Sequence, residues 1–572
     1  MKNNEKQLEV GTLLRKLDRK DMVLITTVIY IATVIIFELL YCNYEFITKS
    51  ITQYNLSIYR FIAYIAVYCV FYKFKDKFIE PALAGFKSKF KCFFVDIVLI
   101  LTVIIATSEL IILFLRQSIT IKSIIFFIAL LNINLFALYF SNNMVKNAVV
   151  TAVLLGSIFS ISITFNNQLD EKRHFLAAYS ISIGKFNLKD PNIDESVVEM
   201  PRNLTPRGFV QYYKKYPSGD INNNIEKFDI KDTPNDYITI TYLISGLGIF
   251  IARILGGSIA DIYLTGRLFN LIGFIFIIIQ AIKILPYKKQ ILYAIFFMPM
   301  LLALASVYSV DGIGAATTAL FIAYCLKLKS QEKIGAKELT ILIILTMLAA
   351  TIKSVGYIGI ALALFILPLR KIIKQNKKYI KYIALLFIII TISVIIVYAI
   401  RINEPGDPRT QGTDTLKQFE FIIRNPLNYC KILLMHFVRT FSTLKGLSFL
   451  NAPMFFNRTY YYSFIALFTY IVFISITDSS KQLECKTRII FMMTFLAVVA
   501  MTSTAMYLSY TKVGSKYING FQMRYMFPVL FLLLSSISIK KIELSNKFKY
   551  SELIAGYISS IFIIISIIDV IL

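Results

Sequence analysis

The sequence has no tryptophan, two histidines (His174 and His436) and six cysteines in 572 residues. The cysteines stand singly, at positions 42, 69, 92, 325, 430 and 485. No pair has metal-site spacing and no even cluster builds a disulfide framework. A secreted disulfide scaffold is excluded, and a zinc enzyme is disfavoured. Charge is scarce too: 17% of residues are charged and 57% hydrophobic, where a soluble chain has about 25% and 45–50%. So little charge cannot cover so much apolar surface in water, so the solvent is lipid. A soluble enzyme and a disordered protein are thereby excluded. Acids are the scarcer sign, with 34 Asp+Glu against 61 Lys+Arg and a formal net charge of +27. An excess of that size points to nucleic acid, anionic lipid or phosphate chemistry, and its distribution decides between them.

What is present is a succession of apolar runs, and a spanning helix needs about 20 such residues. Candidate spans lie at 22–42, 58–72, 93–115, 121–141, 148–165, 264–284, 291–308, 312–326, 339–352, 356–369, 382–400, 461–477, 489–509, 525–539 and 553–572. The pattern predicts an all-α polytopic membrane protein of about 15 helices. The polar segment 1–21 carries six Lys/Arg. The run after it lacks a small-residue cleavage site, so it is expected to be a retained helix with the N-terminus cytoplasmic.

Lys and Arg in short loops mark the cytoplasmic side. The loops 73–91, 283–289, 327–337, 370–381, 481–488 and 540–549 carry six, three, four, six, three and four of them. All fall on one side if the apolar segment 238–257 does not cross. Its four glycines and Arg253 suit a re-entrant or interfacial helix on the outer side. Most of the +27 is then a topological signature. The basic residues are split among short loops with no folded basic domain, which disfavours a nucleic-acid partner.

Two long polar stretches, 166–236 and 401–460, remain on the outer side. Charged residues at outer helix ends join them: Arg267, Asp311, Lys353 and Arg524. One such residue reads as a snorkelling side chain; four from distant spans at one level suggest a shared cavity. Asp170 and Glu171 follow a span directly, and His174 shares a helical face with Asp170 if the segment turns there. A carboxylate held at the lipid boundary can act as general base or hold a divalent cation; the same run reads equally as a solvated helix cap. Asp311 stands in a tight turn where an N-cap is the alternative. Arg524 opens a span beside Tyr525, and its fork of donors suits a phosphate. His436 lies in an amphipathic stretch, "NYCKILLMHFVRTF", where interfacial packing or the flank of an acceptor groove are the two readings.

The segment "LDEKRHFLAAYSISIG" (169–184) resembles the Pro-Asp-Glu-x-x-His-Phe…Tyr…Gly signature of a bacterial family of multi-spanning proteins, catalogued as predicted membrane proteins of unknown function. The segments "YLTGRLFNL" (263–271), "SVYSVDG" (306–312) and "NGFQMRYMFPVL" (519–530) look like its later blocks in the same order, and "LKQFEFIIRNPLNY" (416–429) is a weaker match. Leu169 stands where the family has proline. The likeness covers about 148–539 and leaves the four N-terminal spans as an addition.

That family is similar to the C-type (GT-C) glycosyltransferase superfamily. The resemblance implies a GT-C-like fold and an enzyme that takes sugar from a polyprenyl-phosphate carrier on the outer face of the cell membrane. The implied division is a cytoplasmic N-terminus at 1–21, accessory helices at 22–147, a catalytic module at 148–400 with its first outer loop at 166–263, a second outer loop at 401–460 and C-terminal helices at 461–572. On this view Asp170 is the general base, Glu171 and Asp311 orient the acceptor or bind a metal, and His174 orients the acidic pair. Arg267, Lys353, Arg524 and Tyr525 hold the donor phosphate. Direct attack predicts inversion. No cofactor is specified; a divalent cation such as Mg or Mn on the carboxylates is left open. The expected partners are the lipid-linked donor, the bilayer and an envelope polysaccharide or teichoic-acid-like acceptor. Two other classes stay in view: a transporter or flippase of lipid-linked sugars, for which an internal repeat would be expected, and a non-catalytic membrane subunit of an envelope assembly.

Overall fold

The computed structural model describes residues 144–163, 170–185, 197–201, 225–229, 239–257, 259–351, 354–368, 410–442 and 482–537, with isolated positions among 27–72, 372–388 and 468–480. The chain divides into two compact units, Met1–Ser108 and Glu109–Leu572. In the first, the hydroxyls of Thr27 and Tyr68 hydrogen-bond at 3.2 Å, and the rings of Tyr68 and Tyr72 lie 6.2 Å apart. All that follows concerns the second.

Helix α1 (Met144–Thr151) passes through a π turn at Ala152–Gly156 into α2 (Ser157–Ser162), and α3 (Glu171–Ser182) comes next. The polar stretch beyond it contains an antiparallel pair, β1 (Val197–Pro201) and β2 (Ile225–Asp229), with Val197 opposite Asp229 and Pro201 opposite Ile225. The helical class holds, with this ribbon added. A 3-10 turn (Thr239–Tyr242) leads into α4 (Leu243–Ile254). Twelve residues at 1.5 Å rise make roughly 18 Å, well short of a hydrocarbon core of about 30 Å. Helix α4 lies against α3. The Arg253 guanidinium sits 5.0 Å from the Tyr179 ring centroid and 3.5 Å from the Ser182 carbonyl, a cation at the C-terminal end of α3, where the helix dipole favours it.

Next come α5 (Ile259–Ile284), α6 (Lys289–Phe296), α7 (Pro299–Ala305), α8 (Val310–Ser330) and α9 (Ala336–Thr351). The span expected at 291–308 is therefore corrected to two short helices. Proline has no N–H to donate and disfavours helical backbone at the residue before it; Met298 is accordingly extended (ψ 139°) and Pro299 starts α7. The segment 354–366 winds as a 3-10 helix. At about 2.0 Å per residue its 13 residues reach roughly 26 Å, where an α-helix would reach about 20 Å. Helices α10 (Thr415–Arg424) and α11 (Pro426–Ser442) follow one another across Asn425; α12 (Cys485–Tyr510), a 3-10 turn (Met523–Met526) and α13 (Phe527–Ser536) complete the described elements.

Among the described residues, three helices are long and apolar enough to cross a membrane: Asp261–Ile284, Val310–Ser330 and Cys485–Tyr510. They fall on three of the expected spans. Those expected at 22–42, 58–72, 93–115, 121–141, 382–400, 461–477 and 553–572 lie wholly or largely outside the described residues.

The three long helices share two polar ends. At one, Lys288 pairs with Asp478 at 2.8 Å and Lys329 with Glu484 at 2.9 Å. These pairs join three of the basic loops that the sequence puts on one side, 283–289, 327–337 and 481–488. Lys288 has a left-handed backbone (φ 66°), and both its N–H and Asp478 bind Ser480. At the opposite end α5 and α8 begin and α12 finishes, and the acidic motifs gather there. Gly312 permits that gathering: a Cβ on it would stand 2.7 Å from the Ala305 Cα, so only glycine lets α8 start this close to the end of α7.

Candidate functional site

The centre of the acidic end is an ion pair that no solvent reaches. Arg267, in the third turn of α5, and Glu171, the first residue of α3, are both fully buried. The Arg267 Nε donates to Glu171 Oε1 at 2.8 Å and Nη2 to Oε2 at 2.9 Å. Its Nη1 donates to the carbonyls of Ser160 (2.9 Å) and Ile163 (2.6 Å) at the end of α2. A carboxylate at a helix N-terminus and a cation at a helix C-terminus both complement the peptide dipoles. One fork thus ties the end of α2 to the start of α3. Burial raises the Glu171 carboxyl above its ordinary value, while the charge and hydrogen bonds of Arg267 and the N–H of Tyr308 oppose that shift.

Aromatic rings close this pair off. Phe175 lies 4.7 Å from the Tyr263 ring and 5.2 Å from that of Tyr308, and the two tyrosine rings are 5.0 Å apart. The Tyr308 hydroxyl donates to the Tyr263 carbonyl at 2.8 Å; Gly266 makes room, because a Cβ there would meet that hydroxyl. Asn270 donates to the carbonyls of Ala305 (3.1 Å) and Val307 (2.8 Å) at the end of α7.

Asp170 precedes this clamp, half-buried, with a left-handed backbone (φ 62°, ψ 11°). Few non-glycine residues adopt that conformation, and Asp is among those that tolerate it best. Its carbonyl accepts from the His174 N–H at 3.1 Å. The His174 ring is buried, with Nδ1 2.7 Å from the Tyr242 hydroxyl.

The second pair is Asp311 with Arg524, Oδ2 to Nε at 3.4 Å, each 7% exposed. The N-cap of α8 is Ser309, whose hydroxyl accepts from the Asp311 N–H at 3.1 Å. The capping alternative for Asp311 is thereby replaced, and its carboxylate faces Arg524. The Tyr525 hydroxyl lies in the field of Arg524, which also hydrogen-bonds it, and of Asp311 and Asp170. The Tyr357 hydroxyl donates to the Tyr525 carbonyl and steadies the turn. So Asp170, Asp311, Arg524 and Tyr525 share one electrostatic neighbourhood, with Glu171 and Arg267 directly beneath Asp170. Lys353 lies outside the described residues. Four of the five N–H donors of Arg267 are taken by protein groups, which makes it a clamp.

Sequence reasoning passed over Tyr242, Tyr263, Tyr308 and Phe521, which orient the charged groups. Tyr263 and Tyr308 stand inside the quoted blocks, and that was the available signal. Among the described residues no three His, Cys, Asp or Glu side chains come together as metal ligands. Glu171 and Asp311 are turned to arginines, a donor set that does not suit a divalent cation.

Residues of four of the five quoted blocks meet here: Glu171 and His174, Tyr263 and Arg267, Tyr308 and Asp311, Arg524 and Tyr525. Residues 153–533 match the model of a family described as predicted membrane protein (DUF2142). The chain belongs to that family. The DUF2142 match contains every block of the acidic end, and residues 1–152 precede it. No curated protein matches the chain, and no solved structure matches it.

Proposed function

We propose that the protein is a membrane glycosyltransferase of the GT-C type, working at the extracytoplasmic face of the cell membrane. It would move a sugar from a polyprenyl-phosphate donor to an envelope polysaccharide or teichoic-acid-like acceptor. The supporting observation is the convergence of Asp170, held in a left-handed conformation, with the Asp311–Arg524–Tyr525 group. The joining of the basic loops at the far end agrees with an extracytoplasmic site, since such loops stay inside.

In this reading Asp170 takes the proton of an acceptor hydroxyl as its oxygen attacks the anomeric carbon. The bond from that carbon to the phosphate oxygen breaks, and its electron pair leaves on the polyprenyl phosphate. Attack opposite the leaving group inverts the anomeric centre. Arg524, steadied by Asp311, meets the charge growing on the phosphate, and Tyr525 adds a hydroxyl. Lys353 keeps its expected donor-phosphate role. Glu171 and Arg267 hold the head of α3, and His174 with Tyr242 fixes its next turn. No step is drawn through a cation.

The experiment is transfer from radiolabelled polyprenyl-phosphate sugars by the purified protein. Asp170→Asn is expected to insert and fold normally and to lose transfer. Full activity in that variant would remove the base assignment, and donor binding without turnover by the wild type would favour a non-catalytic subunit.

A further inference from the structure

The consecutive helices α10 and α11 are docked on α12 and the segment after it. The Gly514 N–H donates to Gln418 Oε1 at 2.8 Å and the Val513 N–H to the Gly412 carbonyl at 3.1 Å. The hydroxyls of Tyr429 and Thr504 hydrogen-bond at 2.6 Å. Tyr429 and Ile432 of α11 pack with Tyr507 and Ile518. Tyr429, Ile432 and His436 follow one another at helical spacing along one face of α11. The first two positions are filled by residues that suit an apolar contact; the third is an imidazole. Its ring meets Phe521 edge to face at 4.9 Å, and Phe521 meets Tyr525 the same way at 6.1 Å. His436 therefore stands one ring away from the Arg524–Tyr525 pair.

The Nε2 of His436 is shielded from solvent and has no hydrogen-bond partner among the described residues. A buried polar atom left unpaired costs free energy that an apolar side chain at this place would not. Burial also keeps the ring neutral, with its pKa held down at about 4. A neutral imidazole offers one donor and one acceptor, which matches a hydroxyl better than an anion. An aromatic face beside such a group is the mixture of apolar wall and placed polar atom that holds a pyranose ring.

We propose that His436 binds a hydroxyl of the transferred sugar, with Phe521 as the apolar wall and Arg524 on the adjoining phosphate. This rests on the glycosyltransferase reading. The specificity for one hexose over its epimers would lie in α11 and not in the carboxylates.

The test uses the whole protein in detergent with polyprenyl phosphates carrying glucose, galactose, mannose or N-acetylglucosamine. The chain has two histidines, so 15N-histidine spectra hold two imidazoles, and the signal missing from His436→Phe assigns that of His436. Binding is expected to shift the His436 resonances for one sugar more than for the others. His436→Phe keeps the ring packing and is expected to raise KM for that donor roughly three- to ten-fold with little change in kcat, the signature of lost binding. His436→Gln, which retains a donor and an acceptor, is expected to recover part of the loss. Turnover with unmoved His436 resonances and an unchanged KM in His436→Phe would overturn this proposal and leave glycosyl transfer standing. Failure of all four donors to bind the wild type would overturn both.

Discussion

Replacing Arg267 by methionine tests the clamp most directly. The substitution keeps an unbranched side chain but removes the guanidinium, and with it four hydrogen bonds, two to Glu171 and two to the carbonyls of Ser160 and Ile163. Glu171 is left without solvent contact and with the Tyr308 N–H at 3.3 Å as a remaining donor. Removing one partner of a buried pair costs about 3–5 kcal/mol, and each carbonyl left unpaired adds about 1–3 kcal/mol. Protonation of Glu171 limits the first term, because burial already raises its pKa. The expected loss is about 5 kcal/mol. Arg267→Lys should lose most of this as well, since an ammonium cannot reproduce the planar fork. The double variant Glu171→Leu/Arg267→Met should be less damaged than Arg267→Met alone, because it leaves no buried charge. The assay is equilibrium unfolding in mixed micelles with SDS, followed by circular dichroism and tyrosine emission, the protein having no tryptophan. An Arg267→Met protein within about 1 kcal/mol of wild type, below the range for a buried pair, would refute the clamp.

Two other predictions follow from the same neighbourhood. Asp170→Gly removes the side chain from a left-handed position and adds freedom to the unfolded chain, so its stability is expected to stay within about 1 kcal/mol of wild type while transfer is lost; a large fall in thermal stability would show that the carboxylate is structural. His436 is held at about 4 against an ordinary 6.5, so between these values the unfolded chain binds the extra proton and stability falls as pH is lowered. Melting temperatures from pH 7 to pH 4.5 should drop less in His436→Phe than in wild type, and parallel curves would count against a neutral buried ring.

Composition and apolar period alone suffice to read the membrane class, the three long helices and the short α4, because these follow from how many consecutive residues avoid charge. The acidic end was legible as residue types but not as pairings. Arg267 looked like a phosphate ligand because its spacing from the membrane edge resembles that of Arg524. Which of the two is consumed by protein carbonyls depends on where α2 ends, a tertiary fact. For Asp311 a cap is the alternative reading, because Asp caps helices well, and only the backbone shows that Ser309 takes that place. The broken span at 291–308 had a visible marker in Pro299, outweighed by the unbroken apolar run around it. His436 was visible as an isolated imidazole on an amphipathic helix, whereas its neighbour Phe521 comes from a segment far along the chain.

The split segment has a consequence for how the chain is made. Every residue from Ile291 to Tyr308 is buried, so α6 and α7 show no face to lipid once the fold is complete. An insertion machinery that sorts nascent segments by apolar content would admit this run into the bilayer on its own. There the extended backbone at Met298 would leave peptide groups unpaired in hydrocarbon. The segment is thus stable in the membrane only after α5, α8 and α13 surround it, and α13 is synthesised more than two hundred residues later. Biogenesis must therefore carry an incomplete intermediate until α13 is made, and truncation before residue 527 should expose it to membrane quality control.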